Sequence, residues 1–269
     1  MQFLNVACGD HFILNNKWEN IDFAPKRREI RHGNVLTGLP YDENTFELVY
    51  SSHFIEHIPR KEILNFLLEC RRVLKPGGLI RLVLPDFEKI VREYIANIDQ
   101  GNLLFSEFNI IEMIDQCVRA ESGGEMIKWY RQNSNKSLQS YIKVRTGHNT
   151  ISNTDNSRSI YMRLRNLTFT KIILKIQKIY SEIIVLFLPK WYFTSNISKA
   201  APGEKHLWMY DFNSLKNLLH EAEFNAISEV DSFKSSNSEF PVYPLDIDSN
   251  NDPRKGRQSM YIEATKPLV

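Results

Sequence analysis

Residues 46–86 read FELVYSSHFIEHIPRKEILNFLLECRRVLKPGGLIRLVLPD, and this stretch decides the fold. Phe46 to Tyr50 is a short, apolar, β-rich run, the signature of a strand buried on both faces. Pro59 and Pro76-Gly77-Gly78 bracket the next segment, in which Ile63, Phe66, Leu67, Cys70, Val73 and Leu74 recur at helical spacing. Leu79 to Leu84 is again an apolar strand, closed by Pro85-Asp86. Strand, helix and strand in this order pair in parallel through a crossover.

Upstream, Phe3 to Ala7 is an apolar strand ended by Cys8-Gly9-Asp10. Trp18 to Phe23 is a second strand ending in an acid, and Glu29 to Val35 a weaker third. Downstream of Asp86 an amphipathic helix runs through Ile98. Near the end, Asp211 is set to cap a helix to Phe224, with Leu215, Leu218, Leu219 and Ala222 on one face. Ala226 to Phe233 and Gln258 to Ala264 complete the pattern as a hairpin-like pair with a long connection. The expected fold is α/β, an open Rossmann-like doubly wound sheet. Residues 1–98 and 204–269 would build it, with 99–203 as a largely helical insertion.

The composition suits a packed core in 269 residues, with 42% hydrophobic and 25% charged side chains. Cys8, Cys70 and Cys117 are an odd, widely spaced set, as expected of reduced thiols, and exclude a disulfide framework. The opening MQFLNVACGD enters a strand without a basic leader, and Ile183 to Leu188 is far too short to span a membrane, so a cytoplasmic location is expected. The near-neutral charge conceals an asymmetry. Lys128 to Ala200 carries thirteen Lys/Arg against Asp155 and Glu182, a net of +11; the rest, with 21 basic and 30 acidic residues, carries −9.

A lone glycine after the first strand lets backbone approach a ligand at the carboxyl edge of the sheet, but it is not the GxGxxG of a dinucleotide cradle. That absence, with no plausible YxxxK pair, argues against an NAD-dependent reductase. Several stretches in register carry more weight: LNVACGD (4–10), WENID (18–22), GLPYDENTFELVYSSHFIEHI (38–58), RRVLKPGGLIRLVLPD (71–86), KHLWMYDFNSLKNLLHEAEF (205–224) and QSMYIEATK (258–266). Together they resemble the class I S-adenosylmethionine-dependent methyltransferases, of the type-11-like group associated with surface-polysaccharide biosynthesis.

That resemblance implies seven strands with an antiparallel last strand, S-adenosylmethionine as donor and S-adenosylhomocysteine as product. By position, Ala7, Cys8 and Gly9 would border the methionine part, Asp22 would hold the ribose, Asn34 and Val35 the adenine, and Ser51 and Ser52 would lie beside the sulfonium. Ala7 departs from the usual glycine and Asn34 from the usual aspartate. Asn34 would still reach the adenine amino group through its carbonyl oxygen, with weaker binding expected.

For a hydroxyl acceptor a base is expected. His53, just past the fourth strand, is the first candidate, Asp86 the second, and His57, four residues from His53, the third. His206 could face the acceptor, and Glu56 reads as a first-turn acid at a helix start. Cys8 reads as a small buried thiol. No His/Cys/Asp spacing fits zinc, so no metal is expected.

In the basic insertion, Ile172, Ile176, Ile179, Ile183 and Leu186 form a helical stripe, with Lys171, Lys175 and Lys178 outside it. Packing against the domain or a second subunit is the plain expectation. Contact with anionic lipid at the inner face of a membrane, or with an anionic acceptor, is the functional one. Tyr141, Arg145, Tyr161 and Arg163 interleave as in nucleic-acid binders, but without a recognised RNA-binding module nucleic acid ranks last. The leading expectation is O-methylation of a sugar, sugar phosphate or other phosphate-bearing saccharide intermediate. A small-molecule or RNA methyltransferase, or a non-catalytic scaffold keeping the fold, are the alternatives.

Overall fold

A computed structural model describes residues 2–25, 27–147, 169–189, 192, 197–200 and 203–268. Its centre is a seven-stranded sheet in the order β3-β2-β1-β4-β5-β7-β6. The strands are β1 (Phe3–Val6), β2 (Trp18–Asp22), β3 (Arg31–His32), β4 (Phe46–Ser52), β5 (Leu74–Pro85), β6 (Asn225–Val230) and β7 (Ser259–Thr265). β1 to β5 pair in parallel and β7 runs antiparallel to both β5 and β6, as expected. The expected fold class therefore stands.

The apolar runs are explained by burial on both faces, which parallel strands require. Leu4, Val6, Val49, Ile80 and Leu82 pack on one face beneath α1 (Ile63–Val73). All the helix positions marked by spacing, from Ile63 to Leu74, lie in that core. Phe3, Leu48, Tyr50, Val83 and Tyr261 pack on the other face, covered by Phe240 and Leu245 from the β6–β7 connection.

Two expected strands differ in extent. β3 shrinks to Arg31–His32 because Asn34 caps a 3₁₀ turn over Val35–Thr37, its Oδ1 accepting from Leu36 N–H at 3.1 Å. β5 starts earlier, at Leu74, directly after the helix.

Beyond β5 come α2 (Phe87–Asp99), α3 (Leu103–Val118), α4 (Gly124–Gln132) and α5 (Lys136–Thr146). α3 to α5 close around their own small core of Phe108, Met126, Leu138 and Ile142. Tyr141 stacks on Phe105 at 4.5 Å, and the buried Arg145 pairs with Glu112 at 2.9 Å. These two members of the interleaved Tyr/Arg set are thus internal; Tyr161 and Arg163 lie outside the described residues, as do Arg158, Arg165 and Lys190.

The predicted amphipathic helix exists as α6 (Phe169–Leu186). Its face is uncovered: Ile176, Ile179, Ile183 and Leu186 are exposed, and so is Phe187 just beyond. The side chains of Ile172, Lys171, Lys175 and Lys178 lie outside the described residues. Among the described residues no helix is long and apolar enough to cross a membrane. α7 (Phe212–Glu221) opens with a capping box, in which Asp211 Oδ1 accepts from Ser214 N–H at 2.7 Å and Ser214 Oγ accepts from Asp211 N–H at 3.1 Å.

A buried ion network the sequence reading missed ties the sheet to its cover. Arg81, with no exposed side-chain surface, donates to Asp246 at 2.8 Å and Glu263 at 2.6 Å, and Tyr50 Oη donates to Asp246 at 2.8 Å. A charged residue inside LIRLVLP was the available signal.

Candidate functional site

Parallel pairing brings the carboxyl ends of β1, β2, β4 and β5 to one edge, and the predicted residues divide between two places along it. The first is the rim above β1 and β2. Gly9 sits at φ +54°, and a Cβ there would meet nothing within 4 Å, so its backbone faces open space. Asp22 holds the turn, accepting from Gly9 N–H at 2.8 Å on Oδ2 and from Ala24 N–H at 2.8 Å on Oδ1. Ala7 also adopts a left-handed φ, +54°, which an alanine occupies at a cost. Cys8 is buried, and burial pushes its thiol up to about 12, which rules out a thiolate nucleophile at neutral pH.

At the adenine position one expectation changes. The Asn34 carbonyl oxygen serves its own 3₁₀ turn but keeps a second lone pair, so both it and the amide NH₂ are left to face a ligand. Val35 is turned into the core and offers no wall; Leu36 and Phe23, both exposed, are the apolar groups on that side. Their exposure is a tertiary property that local sequence does not carry. Ser51 is buried, its hydroxyl donating to Val6 C=O at 3.2 Å, whereas Ser52 remains partly open at the end of β4. The rim as built, with open space at Gly9, a fixed carboxylate and an exposed apolar pair, fits an adenosyl group.

The second place is a cleft of about 390 Å³, lined among others by His53, His57, His206, Arg119, Arg254 and Lys255. It forms because the segment around residues 205–208 folds across the turn after β4. Leu207 and Trp208 donate their N–H groups to Glu56 C=O at 2.7 and 3.3 Å, and Arg60 stacks over the Trp208 ring at 4.3 Å. Among the described residues, the positive charge here comes from Arg119 at the end of α3 and from Arg254 and Lys255 in the β6–β7 connection. β1 and β4 pair with Val6 opposite Ser51, so the turn after β4 that carries His53 starts beside the β1 rim.

His53 follows β4 at φ +50°, its N–H donating to Val83 C=O at 2.7 Å. Its Nε2 lies 3.0 Å from Ser259 Oγ and its Nδ1 3.4 Å from Glu56 Oε1. Glu56 is not the solvated first-turn acid expected. It is 1% exposed, sits in the 3₁₀ turn Ile55–His57, and burial pushes its carboxyl up to about 8. The contacts that bury it come from residues 150 positions away, which no local pattern shows. Burial holds the His53 imidazole well below its usual range, lowers His57, and takes His206 down to about 3, so the cleft histidines are neutral. Burial also lowers Lys255.

Asp86 does not join this cluster. Its Oδ1 accepts from the Glu88 and Lys89 N–H groups at 3.0 and 3.3 Å, making it the N-cap of α2. Capping thus employs Oδ1, while Oδ2 lies 3.3 Å from Lys89 Nζ, away from the histidines of the cleft.

Residues 13–82 match a family model described as a methyltransferase domain. A probable methyltransferase, ltbC, of Aspergillus luteorubrus is 47% identical over 49 residues, 18% of this chain and 17% of that protein. The demethylmenaquinone methyltransferase of Bacillus subtilis is 40% identical over 52 residues, 19% of this chain and 21% of that one. The chain thus spans only about a fifth of the length of these curated relatives. A solved structure of an S-adenosylmethionine-dependent methyltransferase from Thermotoga maritima, described as a possible histamine N-methyltransferase, aligns with a TM-score of 0.42 at 12% identity, over 98% of this chain and 81% of that one. Residues 13–82 are thus similar to a methyltransferase domain, and the two relatives named as methyltransferases are similar over short stretches.

Proposed function

We propose that the protein transfers a methyl group from S-adenosylmethionine to a hydroxyl of a sugar or sugar phosphate held in the cleft. The observation that carries this reading is the pairing of β1 with β4, which sets the open β1 rim beside a cleft lined by His53, His57, His206, Arg119, Arg254 and Lys255. When bound, the cofactor supplies a methyl on a sulfonium, already electrophilic, so the chain's task is alignment, exclusion of water and removal of one proton.

In this reading the backbone of Ala7 to Gly9 borders the methionine part. Asp22 accepts the ribose hydroxyls on lone pairs its backbone bonds leave free, since each carboxylate oxygen takes two donors. The Asn34 amide, with Phe23 and Leu36, receives the adenine, and Ser52 flanks the reacting centre. His53 takes the acceptor proton at Nε2, where the Ser259 hydroxyl now sits, while Glu56 holds the Nδ1 side. The Ser259 hydroxyl donates its one proton to Lys255 C=O at 3.0 Å, so its contact with His53 can be given up without stranding a donor. Arg254, whose guanidinium bonds the carbonyls of Pro244 and Ile247, and Lys255 suit a phosphate on the acceptor, whereas Arg119 is paired with Asp115 at 2.7 Å.

The surface-polysaccharide setting, and with it a cytoplasmic site at the inner membrane face, rests on the family resemblance. The uncovered apolar face of α6, in a segment rich in lysine, favours seating on anionic lipid, which would present a lipid-linked acceptor. Residues 99–203 would then be the acceptor-side insertion of a sheet domain made by 1–98 and 204–269.

Labelled S-adenosylmethionine incubated with sugar phosphates, nucleotide sugars and lipid-linked sugars tests the reading. Label in a saccharide ether supports it; label only in RNA or in an amine contradicts it. A non-catalytic scaffold would show neither transfer nor calorimetric binding of the cofactor.

A further inference from the structure

Three side chains at the floor of the cleft, Glu56, His57 and His206, turn ligand-type atoms towards one another, and Glu56 and His206 hold buried ones without a hydrogen-bond partner among the described residues. Glu56 is 1% exposed and neither carboxylate oxygen has a hydrogen-bond partner among the described residues. His206 is 3% exposed, and its buried Nδ1 is likewise unpartnered. His57 places Nδ1 2.9 Å from Lys205 C=O. A carbonyl only accepts, so Nδ1 carries the proton, and in the neutral ring Nε2 is a bare lone pair. That Nε2 stands 4.0 Å from Glu56 Oε1. One donor atom from each of the three residues lies within 4.8 Å of the others.

We propose that Glu56, His57 and His206 form a binding site for a divalent first-row transition ion of the zinc class. Buried acceptors without donors are costly, and several converging on one point call for a cation. A proton on Glu56 would satisfy only one of them, whereas a metal ion satisfies all three. Two imidazoles and a carboxylate suit zinc and its first-row neighbours, whereas magnesium and calcium take oxygen ligands. Small side-chain rotations bring the donors to the roughly 2.0–2.2 Å that zinc requires.

The surroundings are those of a ligand set. The bond from His57 Nδ1–H to Lys205 C=O fixes the tautomer and ring, as backbone carbonyls do for metal-bound histidines. His53 Nδ1 stands 3.4 Å from Glu56 Oε1 without a hydrogen bond to it, a neighbour of the ligand set. His206 is fixed by its N–H donating to Gln116 C=O at 2.8 Å, and the His57 and His206 rings meet edge to face at 4.8 Å. Because His57 and His206 both line the cleft, the positions left open on a three-coordinate ion face the bound molecule. There the ion would hold a hydroxyl oxygen and lower its pKa. That role rests on the methyl-transfer reading; ion binding does not.

The competing occupant is the Lys255 ammonium, which lines the same cleft and is electrostatically coupled to Glu56. Chelator-treated full-length protein, without cofactor or acceptor, is titrated with zinc chloride by calorimetry and with cobalt chloride by visible absorption. The expected result is one ion per chain, cobalt bands of four- or five-coordination, and no competition from excess magnesium. Glu56→Gln and His206→Gln should each weaken zinc binding at least 100-fold, and Lys255→Met should leave it equal or tighter. X-ray absorption of the zinc-loaded wild type, which needs no variant to fold, should show two imidazoles and no sulfur. No stoichiometric binding, unchanged affinity in both variants, loss of binding in Lys255→Met, or a thiolate shell would overturn the site. Any of these leaves methyl transfer to be judged by its own assay.

Discussion

His53 Nδ1 lies 3.4 Å from Glu56 Oε1, so the turn that follows β4 pairs a neutral imidazole with a buried carboxyl at the mouth of the cleft. The other ring nitrogen faces a hydroxyl, Ser259 Oγ at 3.0 Å. An imidazole with a carboxyl on one side and a hydroxyl on the other is the arrangement of a general base poised to accept a proton. His53→Ala should therefore lower kcat by about 10²–10⁴-fold, the usual range for losing such a group. S-adenosylhomocysteine affinity, read by calorimetry, should stay within a few-fold of wild type, because His53 is absent from the β1 rim.

Ala7 predicts the opposite kind of outcome. Its φ of +54° is the left-handed region that costs an L-residue about 1–2 kcal/mol. Ala7→Gly should remove that strain but add unfolded-state entropy, leaving a net gain of about 1 kcal/mol in urea unfolding. A loss of stability would mean that the turn does not hold this conformation in solution.

Arg81 tests the sheet's attachment to its cover. It bonds Asp246 and Glu263 with no exposed side-chain surface, so Arg81→Ala strands two buried carboxylates. Removing one partner of such a set costs about 3–5 kcal/mol. Denaturant midpoints of the wild type and the variant measure it, and a change below about 1 kcal/mol would show the network to be solvated.

Acid should act on α7 through Asp211. Bonds from the Ser214 backbone N–H, with help from its side chain, hold this carboxyl below its ordinary value of 3.8. A carboxylate whose folded pKa is depressed contributes stability above its unfolded pKa and loses it as pH falls through the folded one. Asp211→Ala should cost about 1 kcal/mol at pH 7. The gap to wild type should narrow as the pH drops below about 4, read from urea unfolding at each pH.

The sheet was legible because its signals are local. Apolar runs of four to seven residues gave β1, β4 and β7, and the spacing from Ile63 to Leu74 gave α1, since both periods follow from burying one face or two. The capping role of Asp211 was equally local. What failed needed distant contacts. The Glu56 backbone is held by Leu207 and Trp208, and the cleft's charge arrives with Arg254 and Lys255. The stripe of α6 is exposed in the single chain, because periodicity marks which residues could be buried and not whether the domain or a second subunit lies opposite them.

The central claim is that the rim above β1 and β2 clasps an adenosyl group. Calorimetric titration with S-adenosylhomocysteine tests it most directly, using wild type and Asp22→Ala. The account predicts one site per chain in the wild type and at least tenfold weaker binding in the variant, with the fold intact by circular dichroism. Wild-type protein that shows no binding at millimolar ligand, or a variant that binds as tightly as wild type, would contradict it.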